Sequence, residues 1–154
     1  MRAEECTMTE RNVAGIEYEQ MLLSRYTIAQ HPSRARLDRS VYLLLSRIDG
    51  EGPMSIGELS AAFQLDASTL QRQTTGAVQA GLLERVLDPA GGLARKLALT
   101  PLGRDRLAES KDQSVDALTR ILADWSTTDV NTLAELLRRF NVSIEEYRDA
   151  HAGA

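Results

Sequence analysis

The chain has 154 residues, 43% hydrophobic and 5% aromatic, which is enough for one compact domain or two small lobes sharing a core. A single cysteine, Cys6, excludes an internal disulfide framework, and no apolar run approaches the roughly 18 residues of a membrane span, so a cytoplasmic protein with no membrane partner is expected. Net charge is −4, yet residues 34–106 hold ten basic against eight acidic side chains while both ends are acidic, so a phosphate-binding face can sit only in the middle.

Val13, Ile16, Leu22, Leu23 and Tyr26 recur at helical spacing as far as His31-Pro32, where proline disfavours helix at the residue before it. Leu37, Val41, Leu44, Leu45 and Ile48 form the apolar face of a second helix, broken by Asp49-Gly50-Glu51-Gly52-Pro53. Ser55-Ile56-Gly57-Glu58 has the form of a capping box and opens a short third helix running to about Phe63. Only Gln64 and Leu65 then precede Asp66, a residue able to cap a fourth helix that ends where Gly81 supplies a left-handed C-terminal position.

Two helices joined so tightly form a helix-turn-helix. In the second of them Leu70, Ala77 and Val78 can face the core, which leaves Ser68, Thr69, Gln71, Arg72, Gln73 and Thr75 largely outside. Such a surface offers donors and acceptors to the major groove of double-stranded DNA, with arginine bidentate to guanine and glutamine to adenine. An ordinary solvated helix face has the same composition. LLERVL and LARKLAL on either side of Asp88-Pro89-Ala90-Gly91-Gly92 read as a hairpin, and its charge lies in Arg95 and Lys96, which can reach phosphates.

Thr100-Pro101 caps a long helix carrying Leu102, Leu107, Val115, Leu118, Ile121, Leu122 and Trp125. A second cap-like box, Ser126 to Asp129, opens a final helix with Val130, Leu133, Leu137, Phe140, Ile144 and Tyr147 on one face. The apolar surface of these helices exceeds what a small winged lobe can cover, so a homodimer is expected. The fold class is mainly α with a β-hairpin wing.

From Ser55 to Leu107 the sequence SIGELSAAFQLDASTLQRQTTGAVQAGLLERVLDPAGGLARKLALTPLGRDRL resembles the MarR family of winged helix-turn-helix regulators, most distinctively in its D-P-x-x-G turn and L-T-P-x-G-R. The resemblance implies a dimerising N-terminal helix in 1–36, a DNA-binding lobe in 37–100 and dimerisation helices in 101–154. It further implies a homodimeric repressor on an inverted-repeat operator, released by a small aromatic or acidic effector. By the same resemblance Tyr26, His31, Arg39 and Tyr42 lie where such effectors bind, and an arginine with phenolic partners suits a carboxylate. The wing departs from the family pattern. Relatives commonly carry D-G-R where this chain has Gly91-Gly92-Leu93, and leucine cannot replace an arginine in a narrow, negative minor groove. That departure motivates an alternative, a dimeric small-molecule-binding or interaction protein with weakened DNA affinity.

No catalytic or metal-binding spacing joins His31, His151 and Cys6, so neither an enzyme nor a cofactor is expected. His151 falls in a tail, HAGA, expected to fray. Cys6 stands beside Glu4 and Glu5, which raise a thiol pKa and blunt its reactivity, so redox sensing through it is the weaker expectation.

Overall fold

The computed structural model describes residues 11–25 and 37–151. They form α1 (Val13–Arg25), α2 (Arg39–Glu51), α3 (Ile56–Phe63), α4 (Ala67–Gln79), strands β1 (Leu83–Leu87) and β2 (Arg95–Leu99), α5 (Pro101–Ile121) and α6 (Thr127–His151). The fold is mainly helical with one two-stranded antiparallel sheet, as the sequence implied. The chain divides into two units, residues 1–31 and 32–154. In the first, α1 opens at Asn12, whose side-chain oxygen accepts from the Gly15 amide at 2.9 Å.

Local chemistry sets most of the boundaries. Ser55 Oγ accepts from the Glu58 amide at 3.2 Å while Glu58 Oε2 accepts from the Ser55 amide at 2.7 Å, the reciprocal capping box that starts α3. Thr100 Oγ1 accepts from the Gly103 amide at 3.0 Å, and Pro101 takes the first helical position of α5. Gly81 ends α4 at φ +73, as its place in the sequence required. Ser126 Oγ accepts from the Asp129 amide at 3.1 Å at the start of α6.

Four expectations are corrected. Leu37 lies before α2, which begins at Arg39, and Leu122 and Trp125 lie beyond α5, which ends at Ile121. Asp66 stands at the N-cap position of α4, but its carboxylate caps nothing; an exposed helix start can give its free amides to water instead. His151 belongs to α6, where its ring stacks on Tyr147 with centroids 4.2 Å apart and Nδ1 lies 2.7 Å from the Tyr147 carbonyl. The helix therefore includes the first residue of the tail where composition suggested fraying.

The core of the second unit is built by Leu44, Leu45 and Ile48 of α2, Met54, Leu59 of α3, Leu70 and Ala77 of α4, Leu82, Leu83, Leu97 and Leu99 of the hairpin region, and Leu107 of α5. All of these lie between residues 44 and 107, so the winged lobe closes its own core and draws in only the start of α5. That entry is tight. Gly103 packs so closely on Leu82 that a Cβ at residue 103 would stand 2.1 Å from the Leu82 carbonyl oxygen, and the Thr100 amide donates to the same oxygen at 3.1 Å. The glycine of L-T-P-x-G-R is thus a packing requirement.

Beyond the lobe the pattern reverses, and α6 buries none of its 25 residues. At ~100° per residue, Val130, Leu133, Leu136, Leu137, Phe140, Ile144 and Tyr147 fall on one stripe, of which Leu136 is 52% and Tyr147 65% exposed. Arg148 near its end returns to the helix-turn-helix, donating from Nε to Gln64 Oε1 at 2.7 Å and from Nη2 to the Phe63 carbonyl at 3.1 Å. Gln64 there has φ 50, the single described non-glycine residue in the left-handed region.

Candidate nucleic-acid interface

The orientation of α4 follows from its buried residues. Leu70, Thr74 and Ala77 face the core, so rotation by ~100° per residue turns Ser68 and Arg72 directly away from it. Both are exposed. Gln71 projects to one flank and is exposed, whereas Thr69 and Gln73 on the other flank are half-buried. Thr75 is also half-buried, and its hydroxyl donates to the Gln71 carbonyl at 2.7 Å while Oγ1 lies 3.4 Å from Gln71 Nε2. Its one proton is thereby used within the helix.

The hairpin stands beside the Gln71 flank. In its register Leu83 pairs with Leu99, Arg85 with Leu97 and Leu87 with Arg95. These pairs share one face, because strand side chains alternate with period two. Leu83, Leu97 and Leu99 carry that face into the core, and where the core ends the face continues as Arg85 and Arg95, both exposed. The two arginines, with Gln71, Ile56, Lys96 and Leu97, line a recess of about 120 Å³. Arg85 was not singled out by sequence reasoning. The signal was available in the alternation Leu83-Glu84-Arg85 once the strand register was known.

Lys96 behaves differently from Arg95. One residue along the strand it turns to the other face, where Nζ donates to Glu58 Oε1 at 3.1 Å and lies 3.6 Å from Asp88 Oδ1. Its pKa is raised, chiefly by the hydrogen bond to Glu58 and further by the charge of Asp88. Among the described residues Arg72, Arg85 and Arg95 enter no ion pair. The surface beside α4 therefore presents three unpaired guanidiniums, and the lysine is already matched. At the tip Gly91 has φ +88 and Leu93 is fully exposed at 101%, so the wing ends in a bare isobutyl group.

The expected effector residues are not brought together by what is described. Tyr42 packs against the lobe core and Arg39 is exposed in the first turn of α2. Tyr26, His31 and Cys6 lie outside the described residues. Among the described residues no three His, Cys, Asp or Glu side chains gather as a metal site, and no helix is long and apolar enough to cross a membrane.

Residues 37–92 match the family profile described as MarR family. A Bacillus subtilis (strain 168) protein named as an uncharacterized HTH-type transcriptional regulator, YxaD, is 35% identical over 129 residues, covering 82% of this chain and 90% of that protein. A MarR family protein from Bacillus stearothermophilus has the same fold, with a TM-score of 0.70 at 22% identity over 89% of this chain and 98% of the other. Wild-type MarR from E. coli in its apo form gives 0.66 at 17% identity over 83% and 96% of the two chains. PcaV from Streptomyces coelicolor, a transcriptional regulator solved with its natural ligand, gives 0.61 at 19% identity over 94% and 99%. The winged lobe, the matched profile and the Bacillus relative agree, and the chain belongs to the MarR family of helix-turn-helix transcriptional regulators.

Proposed function

We propose that this regulator acts in the cytoplasm as a homodimeric repressor that reads an inverted-repeat operator in double-stranded DNA through α4 and steadies itself on the backbone through the wing. The observation that carries the reading is the placement of charge. In a protein of net charge −4, Arg72, Arg85 and Arg95 stand around one side of α4 with no ion-pair partner among the described residues. Ser68, Gln71 and Arg72, with Thr69, Gln73 and Thr75 at the margins, are the base-reading candidates, and Arg85 and Arg95 the phosphate-binding ones. Residues 37–100 form the reading lobe in this proposal, while 1–36 and 101–154 supply dimerisation. The unburied apolar stripe of α6 supports that division, since a face of this length normally meets another protein surface.

Release of DNA by a small aromatic or acidic effector belongs to the same proposal, with Arg39, Tyr42, Tyr26 and His31 as its contacts. The natural ligand held by PcaV supports an effector in this fold. One observation favours a second reading, a dimeric ligand-binding protein with weakened DNA affinity: the wing tip offers the fully exposed Leu93 to the minor groove. Selection of bound duplexes from random DNA separates the two. Recovery of an inverted repeat with half-sites about one helical turn apart supports the repressor. Arg72→Ala should then cost about 1–3 kcal/mol per base contact and relax preference at the matching position. Recovery of no common sequence supports the second reading.

A further inference from the structure

A chain of polar contacts runs from the start of α3 through Lys96 to the tip of the hairpin, beside the arginine surface. Glu58, while closing the capping box with Ser55, also accepts from Lys96 Nζ at 3.1 Å. Lys96 Nζ lies 3.6 Å from Asp88 Oδ1, and that oxygen accepts from the Ala90 amide at 2.9 Å. The Gly91 amide donates to the Asp88 carbonyl at 2.9 Å and closes the turn. Gly92 makes room for this arrangement, because a Cβ there would stand 2.8 Å from Asp88 Oδ2. The side chains of Lys96 and Asp88 are each only 16% exposed, so both are laid against the protein.

We propose that Lys96 is a positioning residue that pins the wing to the first turn of α3 and so fixes how Arg95 and the Leu93 tip approach the duplex. The inference rests on the DNA-binding reading. Backbone hydrogen bonds between Met54 and Leu97, at 3.1 and 2.7 Å, tie the base of the hairpin to the lobe, so the part left to swing is the glycine-containing turn beyond Lys96, and a two-stranded ribbon is marginally stable alone. Its anchor is firm, for α3 carries the fully buried Leu59 and a complete cap. A phosphate approaching Lys96 would meet Glu58 and Asp88 as well, and their two negative charges oppose it. A partly exposed ion pair adds little to global stability, but a hairpin swings on small energies and the same contact can govern its angle.

Glu58→Gln gives a test whose sign decides. Glutamine at this position still closes the capping box, so the substitution removes the ion pair and one negative charge while α3 keeps its cap. Simple electrostatics predicts tighter DNA binding, since a charge repelling the phosphates is gone. Loss of the pin predicts weaker binding, by about two- to tenfold, on a labelled duplex recovered by selection from random DNA. Lys96→Met should weaken binding similarly, and Lys96→Arg should restore it. In the DNA-free protein Glu58→Gln should speed hydrogen exchange of the Ala90 and Gly91 amides several-fold, and by more than it speeds exchange of core amides such as Leu59 and Leu70, which report global opening. Binding as tight as or tighter than wild type, or unaltered exchange in the turn, overturns the proposal. If wild-type protein binds no duplex, the DNA reading fails, and exchange in the free protein still decides whether the pin exists.

Discussion

Replacing Arg95 with alanine tests the wing by number of contacts. Arg95 is exposed and without an ion-pair partner among the described residues, so each wing offers one free guanidinium there and a dimer two. If each neutralises one phosphate, the slope of log affinity against log salt falls in magnitude by about 0.9 per contact, or ~1.8 for the dimer. From about 50 to 200 mM salt the logarithm of concentration changes by about 0.6, so Arg95→Ala should lose about 12-fold less affinity than wild type across that range. Lys96→Met should leave the slope near the wild-type value, because its ammonium is held by Glu58 and Asp88. Counting charges along the sequence gives both substitutions the same slope loss; the geometry separates them. Fluorescence anisotropy titrations of one labelled duplex at several salt concentrations make the comparison. Equal slope losses would refute the reasoning for Lys96, and an unchanged slope for Arg95→Ala would remove that arginine from the phosphate contacts.

Three further outcomes are expected. Leu137→Glu with Phe140→Glu places charge on the stripe of α6, where the two side chains are 42% and 37% exposed in the single chain; burial of such groups is worth about 1.5–3 kcal/mol each, so sedimentation should show the variant as monomer, and a stable wild-type monomer at micromolar concentration contradicts the dimer. Gly103→Ala drives a methyl group against the Leu82 carbonyl and should cost about 1–3 kcal/mol or more in urea unfolding, with unchanged stability the refuting result. Glu58 supplies a pH dependence: the Ser55 amide first, then Lys96 and the Ser55 hydroxyl, lower its pKa from 4.5 to about 2. A carboxylate with a depressed folded pKa contributes fully above its unfolded pKa and loses that contribution as pH falls through the folded one. Stability should therefore decline between pH 4.5 and about 2 by a component that Glu58→Gln lacks, and parallel acid-unfolding curves for the two proteins would rule it out.

The sequence by itself determined the elements and much of the lobe. Helical periodicity in Val41 to Ile48, the Ser55–Glu58 box, Gly81, and Thr100-Pro101 act within a few residues of themselves, so their consequences survive in the structure with the partners they announced. The outward face of α4 was legible for the same reason, since Leu70 and Ala77 fix the rotation of their own helix. The proposed dimer interface and effector site rest on apolar pattern and resemblance alone, and half of the expected effector residues lie outside those described. What tertiary structure decided was which charges are free. Arg85, Arg95 and Lys96 are alike as basic strand residues, and nothing local tells them apart. The strand register sets Arg85 and Arg95 on the face toward α4, while the docking of α3 brings Glu58, 38 residues away, onto Lys96. The same holds for Gln64, whose side chain and left-handed turn are met by Arg148 across 84 residues of chain. Pairing of charges is a matter of distance in space, and a sequence records distance only along the chain.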